Sequence, residues 1–308
     1  MKAPTPKILV IVGPTCSGKS ALAVELALRL HGEVVSVDSR QVYRGLDIGT
    51  GKVTAEEMRG VPHHLLNVAD PHTRFTVQNF QMLAYRAIDE ILSRGKLPIV
   101  AGGAGFYIQS ITDGLVLPSV PPNPLLRGEL ETQGTEELWR TLRREDAERS
   151  ETIDRRNRRR LIRAIEIAYA IGKVSALKKQ PHYSPIIIGL EIPQKELFLK
   201  IHARLIERIN AGMIHEAELL RSEGLSYERM DSLGLEYRYL AMLLKKEISH
   251  DEFMQKLEIE IQQYAKRQMT WFKKDVRIQW FSPHDVNRIF DYAKNKLSEN
   301  GSAIVSRG

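Results

Sequence analysis

A glycine-rich loop near the N-terminus is the first segment whose residue types point to chemistry. It reads Gly13-Pro14-Thr15-Cys16-Ser17-Gly18-Lys19-Ser20. This is the phosphate-binding pattern, in which backbone N–H groups point at an anion, the lysine supplies a positive charge and the hydroxyl of Ser20 can hold Mg²⁺. The loop alone leaves open whether the anion is a nucleoside triphosphate or an organic diphosphate.

A carboxylate, Asp38, follows the second apolar run of the sequence. The carboxyl ends of parallel strands face the ligand crevice, so we expect Asp38 to lie beside the phosphate loop. There it could position Mg²⁺ through water or accept a proton from an attacking nucleophile. The bland alternative is that it only caps the following turn. The later run Leu97–Ala101 ends in glycine instead of an acidic residue, which disfavours an ATPase.

A run of arginines at 155–163 is the third chemical signal, with six arginines and no acidic residue. On a helix, the side chains of Arg156, Arg159, Arg160 and Arg163 would form one stripe. Such a stripe suits the phosphates of a nucleic-acid backbone, and guanidinium planes also stack on bases. The competing interpretation is a solvated charged face, partly neutralised by the acidic residues that precede it.

Composition sets the class of protein. The chain has 308 residues, of which 43% are hydrophobic, enough for one large domain or two modest ones. A net charge of +7 suggests a polyanionic partner. No apolar run approaches the roughly 20 residues that a membrane span needs. The single cysteine, Cys16, excludes an intrachain disulfide framework and fits a reducing compartment, so we expect a cytoplasmic protein without membrane spans.

Short β-branched runs separated by helical periodicity predict the elements that position these residues. The predicted strands are Ile8–Val12, Val34–Val37, Pro98–Ala101, Ile186–Leu190 and Val276–Phe281. Helical spacing between the first three gives a strand–helix–strand rhythm, which is typical of a mostly parallel sheet. The predicted fold class is therefore α/β.

Proline-rich breakers divide the chain. Four prolines in 117–124 and a second breaker at 180–185 enclose a charged segment with helical character, which predicts a small helical insertion. The expected segments are 1–116 (first part of the core), 117–185 (insertion) and 186–308 (second part of the core). The helical stretch from Glu196 to Lys274 is expected to pack back on the sheet.

Motifs spread over most of the chain resemble those of bacterial tRNA dimethylallyltransferases. They are the phosphate loop, Asp38-Ser39-Arg40-Gln41-Val42-Tyr43, Asp47-Ile48-Gly49-Thr50-Gly51-Lys52, Pro62-His63-His64-Leu65, Gly102-Gly103-Ala104-Gly105-Phe106-Tyr107-Ile108, Arg163-Ala164-Ile165-Glu166 and Lys266-Arg267-Gln268-Met269-Thr270-Trp271-Phe272. The resemblance implies a nucleotide-kinase-like P-loop core with a helical insertion that binds tRNA. It also implies transfer of the dimethylallyl group from dimethylallyl diphosphate to N6 of the adenosine immediately 3′ of the anticodon.

The same resemblance implies roles for individual residues. Asp38, Thr15 and Arg208 would be catalytic, and the whole phosphate loop would bind the diphosphate, with Mg²⁺ on Ser20. The residues that would bind tRNA are Asp38, Ser39, Arg40, Gln41, Ala104, Arg127, Arg159, Arg160, Leu161, Ile162 and Arg163. The family usually has Thr where this chain has Ala104.

Three other functions compete with this one. Prenyl transfer to free AMP would need no basic insertion. In a small-molecule or nucleotide kinase, the loop would bind ATP and Asp38 would activate an acceptor hydroxyl, but the arginine run would have no task. In an RNA-binding protein without activity, Asp38 would have none. The partners that the resemblance implies are tRNA, dimethylallyl diphosphate and Mg²⁺, and the expected state is a monomer.

Overall fold

The computed structural model describes residues 5–173 and 177–299. Residues 1–4, 174–176 and 300–308 lie outside the described residues, although each falls within one of the expected segments. The strands are β1 (Lys7–Val12), β2 (Gly32–Val37), β3 (His63–His64), β4 (Leu97–Gly102), β5 (Ser184–Leu190) and β6 (Gln279–Phe281). The helices of the first half are α1 (Lys19–Leu30), α2 (Ala55–Met58), α3 (Val77–Ser93), α4 (Gly105–Thr112), α5 (Pro124–Glu131), α6 (Thr135–Glu145) and α7 (Ala147–Thr152). Those of the second half are α8 (Arg158–Ile171), α9 (Gln194–Asn210), α10 (Met213–Ser222), α11 (Tyr227–Ser232), α12 (Leu235–Leu244), α13 (His250–Phe272) and α14 (Val286–Ser298). In the described ranges, no helix has the length and apolar character that crossing a membrane requires.

The six described strands form one sheet in the order β3-β2-β4-β1-β5-β6, and every pairing is parallel. This confirms the predicted α/β class and the five predicted strands. β6 begins at Gln279 instead of Val276, whose side chain is 97% exposed and has no sheet surface to pack on. The two-residue β3 was not predicted because its histidines carry no strand signal.

Successive side chains along the strands pack into two separate cores, one on each face of the sheet. Val10 of β1 packs on one face of the sheet with Phe80 of α3. Leu9 packs on the opposite face with Leu26 of α1. Successive strand side chains point to opposite faces, so a continuous apolar run is what a strand covered on both faces requires. The ends of β1, β2 and β4 then meet at one edge of the sheet.

Most of the helices after β5 pack on one another and not on the sheet. Leu205 of α9 and Leu257 of α13 share a separate core with Val42 and Leu46, which lie in the loop after β2. The expectation that this stretch packs back on the sheet is therefore wrong for most of its length, because α1, α3 and α14 already cover the sheet. Phe272, the last residue of α13, does reach the sheet core.

The chain divides into two compact units. One comprises Met1–Thr112 with His182–Gly308, and the other comprises Asp113–Pro181, where the sequence analysis expected an insertion at 117–185. The smaller unit contains α5 to α8 and has its own apolar core, which includes Leu138 and Leu161. Near its ends, Leu115 and Lys179 form an antiparallel bridge.

Candidate active site

The phosphate loop joins β1 directly to α1. Cys16 and Gly18 take positive φ angles of 60° and 89°, which curl the backbone around the start of the helix. Gly18 caps α1 without any side-chain hydrogen bond. Among residues 5–173 and 177–299, the first N–H groups of α1 therefore have no side-chain acceptor, and together with the helix dipole they make an anion site.

Lys19 is held inside this loop. Its Nζ donates a hydrogen bond to the carbonyl oxygen of Pro14 at 2.5 Å. Burial lowers the pKa of Lys19 to about 8. The positive charge of Arg204 also lowers this pKa, whereas Cys16 and Asp38 raise it. The ammonium is thus still mostly protonated at neutral pH, and it lies within electrostatic reach of Asp38.

Asp38 uses one carboxylate oxygen in its own turn. Oδ1 accepts hydrogen bonds from the backbone N–H groups of Arg40, at 2.7 Å, and Gln41, at 3.2 Å. Within the described part of the chain, Oδ2 has no hydrogen-bond partner. The turn cap and the proton acceptor are therefore compatible, because each needs a different oxygen of the same carboxylate.

One strand separates Asp38 from the phosphate loop, which corrects the expectation that the two are adjacent. Val12, at the end of β1, and Val37, at the end of β2, both pair with Gly102 of β4. Two strand spacings amount to about 10 Å. A Cβ at Gly102 would collide with the carbonyl oxygen of Val37, so glycine is required here. The strand between the loop and the carboxylate therefore ends without a side chain.

Gln268 connects the phosphate loop to Gly103, which directly follows β4, and no role for Gln268 was predicted from the sequence. The side chain is 6% exposed, Oε1 accepts from the N–H of Thr15 at 2.8 Å, and Nε2 donates to the carbonyl oxygen of Gly103 at 3.0 Å. A signal did exist in the sequence. Gln268 lies on the buried stripe of α13 with Ala265 and Phe272, where an amide is out of place unless it is hydrogen-bonded.

Two tyrosines lie within electrostatic range of Asp38. Burial raises the pKa of Tyr107 to about 12, with Arg40 opposing the shift and the charge of Asp38 adding to it. Burial and the charge of Asp38 also raise the pKa of Tyr264. Both phenols are therefore neutral at physiological pH and are available as hydrogen-bond donors.

The guanidinium of Arg208 is hydrogen-bonded to the loop that contains Ile48 and Gly49. Nε donates to the carbonyl oxygen of Ile48 at 2.8 Å, another nitrogen donates to that of Gly49, and the guanidinium pairs with Glu236 at 3.3 Å. The expected contact of Arg208 with a diphosphate therefore stays a prediction. Arg204 is a further cation that the sequence analysis did not name; it donates to the carbonyl oxygen of Gly51 at 3.1 Å and affects Lys19 electrostatically.

The other residues expected to bind tRNA in the larger unit lie around Asp38. Ser39, Arg40 and Ala104 are half-buried. The side-chain nitrogen Nε2 of Gln41 donates to the carbonyl oxygen of Gly51 at 3.2 Å, so part of that side chain already stabilises the fold. The tRNA contacts of these four residues stay predictions.

Within the smaller unit, Glu166 binds two of the arginines expected to contact tRNA. The guanidinium of Arg127 donates to the two carboxylate oxygens of Glu166, with hydrogen bonds of 2.7 and 2.6 Å. A guanidinium nitrogen of Arg163 lies 3.3 Å from one of the same oxygens. Burial alone would raise the pKa of Glu166, but hydrogen bonds from Arg127, the Asn123 backbone and Arg163 lower it. Arg127 and Arg163 thus anchor the unit through a buried carboxylate, and any tRNA contact they make is additional.

The arginine run is divided between packing and exposure. α8 begins at Arg158, so Arg156 precedes the helix and does not extend the predicted stripe, which is a correction. Leu161 and Ile162 are 0% and 6% exposed, so their side chains face the core of the unit and not solvent. Arg159 and Arg160 are exposed, and within the described residues their guanidinium groups have no partner. These two are the cations of α8 best placed to meet a polyanion.

Comparisons with known proteins agree with the geometry. The family model for IPP transferase matches residues 41–275, and that for isopentenyl transferase matches residues 6–70. The tRNA dimethylallyltransferase of Anoxybacillus flavithermus is 38% identical over 94% of this chain and 97% of its own length. The tRNA dimethylallyltransferase 2 of Citrifermentans bemidjiense is 43% identical over 89% and 90%.

A solved structure gives the same result for the fold. The tRNA isopentenylpyrophosphate transferase of Bacillus halodurans superposes with a TM-score of 0.74 at 35% identity, covering 96% of this chain and 98% of that one. The similarity therefore extends over both units and is not confined to the phosphate loop.

Proposed function

The chain belongs to the IPP transferase family, and from that premise we propose that it transfers the dimethylallyl group of dimethylallyl diphosphate to N6 of the adenosine immediately 3′ of the anticodon in tRNA. The observation that carries the proposal is the arrangement of three strand ends at one edge of the sheet. An anion loop ends β1, a carboxylate with an unengaged oxygen ends β2, and the strand between them ends in glycine. The relatives favour this transfer over the kinase alternative.

The reaction needs few groups. The bond between C1 of the prenyl group and the diphosphate oxygen breaks, a bond forms between that carbon and N6, and N6 loses one proton. Because the lone pair of N6 is delocalised into the adenine ring, the amine is a weak nucleophile, and Oδ2 of Asp38 accepts its proton as the new bond forms. The loop N–H groups and Lys19 hold the charge of the leaving diphosphate. The target base has to leave its stack to reach the edge of the sheet.

Mg²⁺ fits the donor set as a partner of the diphosphate. The hydroxyl of Ser20 is exposed at the start of α1 and has no hydrogen-bond partner in the described ranges. The same residues contain no group of three or more His, Cys, Asp or Glu side chains that could hold a metal. Ser20 would therefore be the protein ligand, and diphosphate and water oxygens would complete the shell, as Mg²⁺ commonly requires. When bound, the ion neutralises charge on the leaving group. The monomeric state and the cytoplasmic location stay predictions.

A direct assay tests the proposal. Radiolabelled dimethylallyl diphosphate is incubated with the protein and, separately, with tRNA or with AMP, and labelled ATP is tested in parallel. We expect label to pass from the prenyl donor to tRNA only. Transfer to AMP instead of tRNA, or phosphoryl transfer from ATP, would contradict the proposal.

Cys16 provides a probe of which phosphate the loop binds. The thiol is half-buried inside the loop and is the only cysteine of the chain, so a bound diphosphate should shield it from alkylation. At ten times its dissociation constant, dimethylallyl diphosphate should slow alkylation by about tenfold, because only the free protein reacts. ATP at the same concentration should protect much less. C16S serves as the control for labelling elsewhere, and protection by ATP alone would favour the kinase.

Removing the exposed charges of α8 tests the contact with tRNA. R159Q/R160Q should raise the KM for tRNA and reduce the magnitude of the slope of log affinity against log salt by up to about two. The slope falls because each contact with a phosphate that is lost means that fewer counterions are released when tRNA binds. The KM for dimethylallyl diphosphate should not change. R140Q/R144Q, which removes two exposed arginines from α6, is the matched control. Equal salt slopes for the two double variants would show that Arg159 and Arg160 belong to a solvated face.

A further inference from the structure

The amide of Gln268 makes two hydrogen bonds to parts of the chain that are far apart in sequence. Thr15, which donates to Oε1, is 253 residues away, and Gly103, which accepts from Nε2, is 165 residues away. One end of the amide must face a donor and the other an acceptor, so its orientation is defined by its partners. No other neutral side chain of this length supplies both functions.

Both partners belong to the reaction site. Thr15 lies in the loop proposed to hold the diphosphate. Gly103 directly precedes Ala104, whose N–H lies 3.4 Å from the carbonyl oxygen of Val37, the residue before Asp38. The amide therefore completes a hydrogen-bonded connection from the leaving-group loop to the strand end that carries the proposed base.

Gly103 is shaped to receive this side chain. A Cβ at Gly103 would collide with Nε2 of Gln268, while the nearest atom outside that side chain, the carbonyl oxygen of Gly13, would be 3.9 Å away. The absence of a side chain at position 103 is thus explained by Gln268 itself. Since the amide is buried, either bond left unmade would also expose an unsatisfied polar group to an apolar environment.

Resting on the proposed function, we propose that Gln268 is a positioning residue that sets the distance between the phosphate loop and Asp38 without touching either substrate. Transfer needs the prenyl carbon, fixed through its diphosphate, and N6, fixed through Asp38, to meet in line. A misplacement of about 1 Å can cost on the order of 100-fold in rate. The expected signature is a loss of kcat with little change in the binding of either substrate.

Q268M tests this, because methionine fills a similar volume but makes neither hydrogen bond. We expect kcat to fall about 10- to 100-fold and the KM values for dimethylallyl diphosphate and tRNA to change by less than about threefold. The matched control is Q262M on the same helix, since among the described residues the side chain of Gln262 bonds only to Glu258, within α13. Thermal unfolding of both variants separates a rate effect from loss of folded protein.

A cycle through Gly103 covers the case in which Q268M does not fold. G103A should displace the amide and lower kcat, and Q268A added to G103A should cost nothing more, because the connection is already broken. Additive losses would overturn the inference, as would a kcat of Q268M within twofold of that of Q262M or a rise in KM alone. If wild type and Q262M transfer no prenyl group to tRNA, the proposed function fails first and the inference fails with it. If they do transfer it, only the inference is at stake.

Discussion

Replacing Lys19 by methionine should reduce kcat/KM for dimethylallyl diphosphate by about 10³-fold or more, the largest effect expected for any single side chain of this protein. The ammonium lies inside the loop and donates a hydrogen bond to the carbonyl oxygen of Pro14. It is the one side-chain charge that the phosphate-binding pattern itself supplies to a leaving group that gains charge as the C–O bond breaks. Methionine keeps the apolar stem, so the packing of the loop should change little.

The control for K19M is K256M, because Lys256 is exposed on α13 and, in the part of the chain that the structure describes, pairs only with Glu252 one turn earlier. Steady-state kinetics with varied dimethylallyl diphosphate should show K256M close to wild type. A K19M enzyme within tenfold of wild type would mean that the loop N–H groups alone hold the diphosphate. The lysine would then have a structural role only.

Substitution of Asp38 should have the second largest effect, a fall in kcat of about 10²-fold or more with a much smaller change in tRNA affinity. Two variants are needed, because Oδ1 also caps the turn through the N–H groups of Arg40 and Gln41. D38A removes both the cap and the base. D38N retains a carbonyl oxygen for the cap but has no basic oxygen.

The comparison of D38N with D38A separates the two roles. If Asp38 is the base, both variants lose activity and D38N unfolds at nearly the wild-type temperature. If D38N stays active while D38A does not, Asp38 only caps the turn and another group must take the proton. The measurements are single-turnover transfer rates, tRNA binding by filter retention and thermal unfolding midpoints.

Features that depend on short stretches of chain could be predicted from the sequence. The phosphate loop is written in contiguous residues between an apolar strand and a helix, so its position, its lysine and its free helix terminus followed directly. The strands at Ile8, Val34, Pro98 and Ile186 followed from buried β-branched runs for the same reason. The prolines of 117–124 and the helical periodicity after them indicated the helical unit, whose limits the structure places at 113 and 181.

Long-range partners could not be predicted, and they changed the interpretation of individual residues. Arginine is a residue type that commonly contacts nucleic acid, yet Arg127 and Arg163 both bind the carboxylate of Glu166. Arg156 was placed on the stripe of α8 by periodicity, which cannot show that the helix begins two residues later. The helices after β5 have apolar faces, but the pattern does not say that these faces meet one another.

The sequence by itself determined the chemistry available to this protein: an anion loop, a carboxylate at a strand end, exposed arginines on a helix and the family that these motifs resemble. Each of these depends on residue types and on hydrogen bonds between near neighbours in the chain. Only the tertiary structure decided that β4 lies between β1 and β2, that Gly102 lets the end of β4 lie close against the carbonyl oxygen of Val37, and that Gln268 connects the phosphate loop to Gly103. Strand order and the contacts of a buried amide are set by how separate apolar faces are covered at once, and no local pattern in the sequence records that.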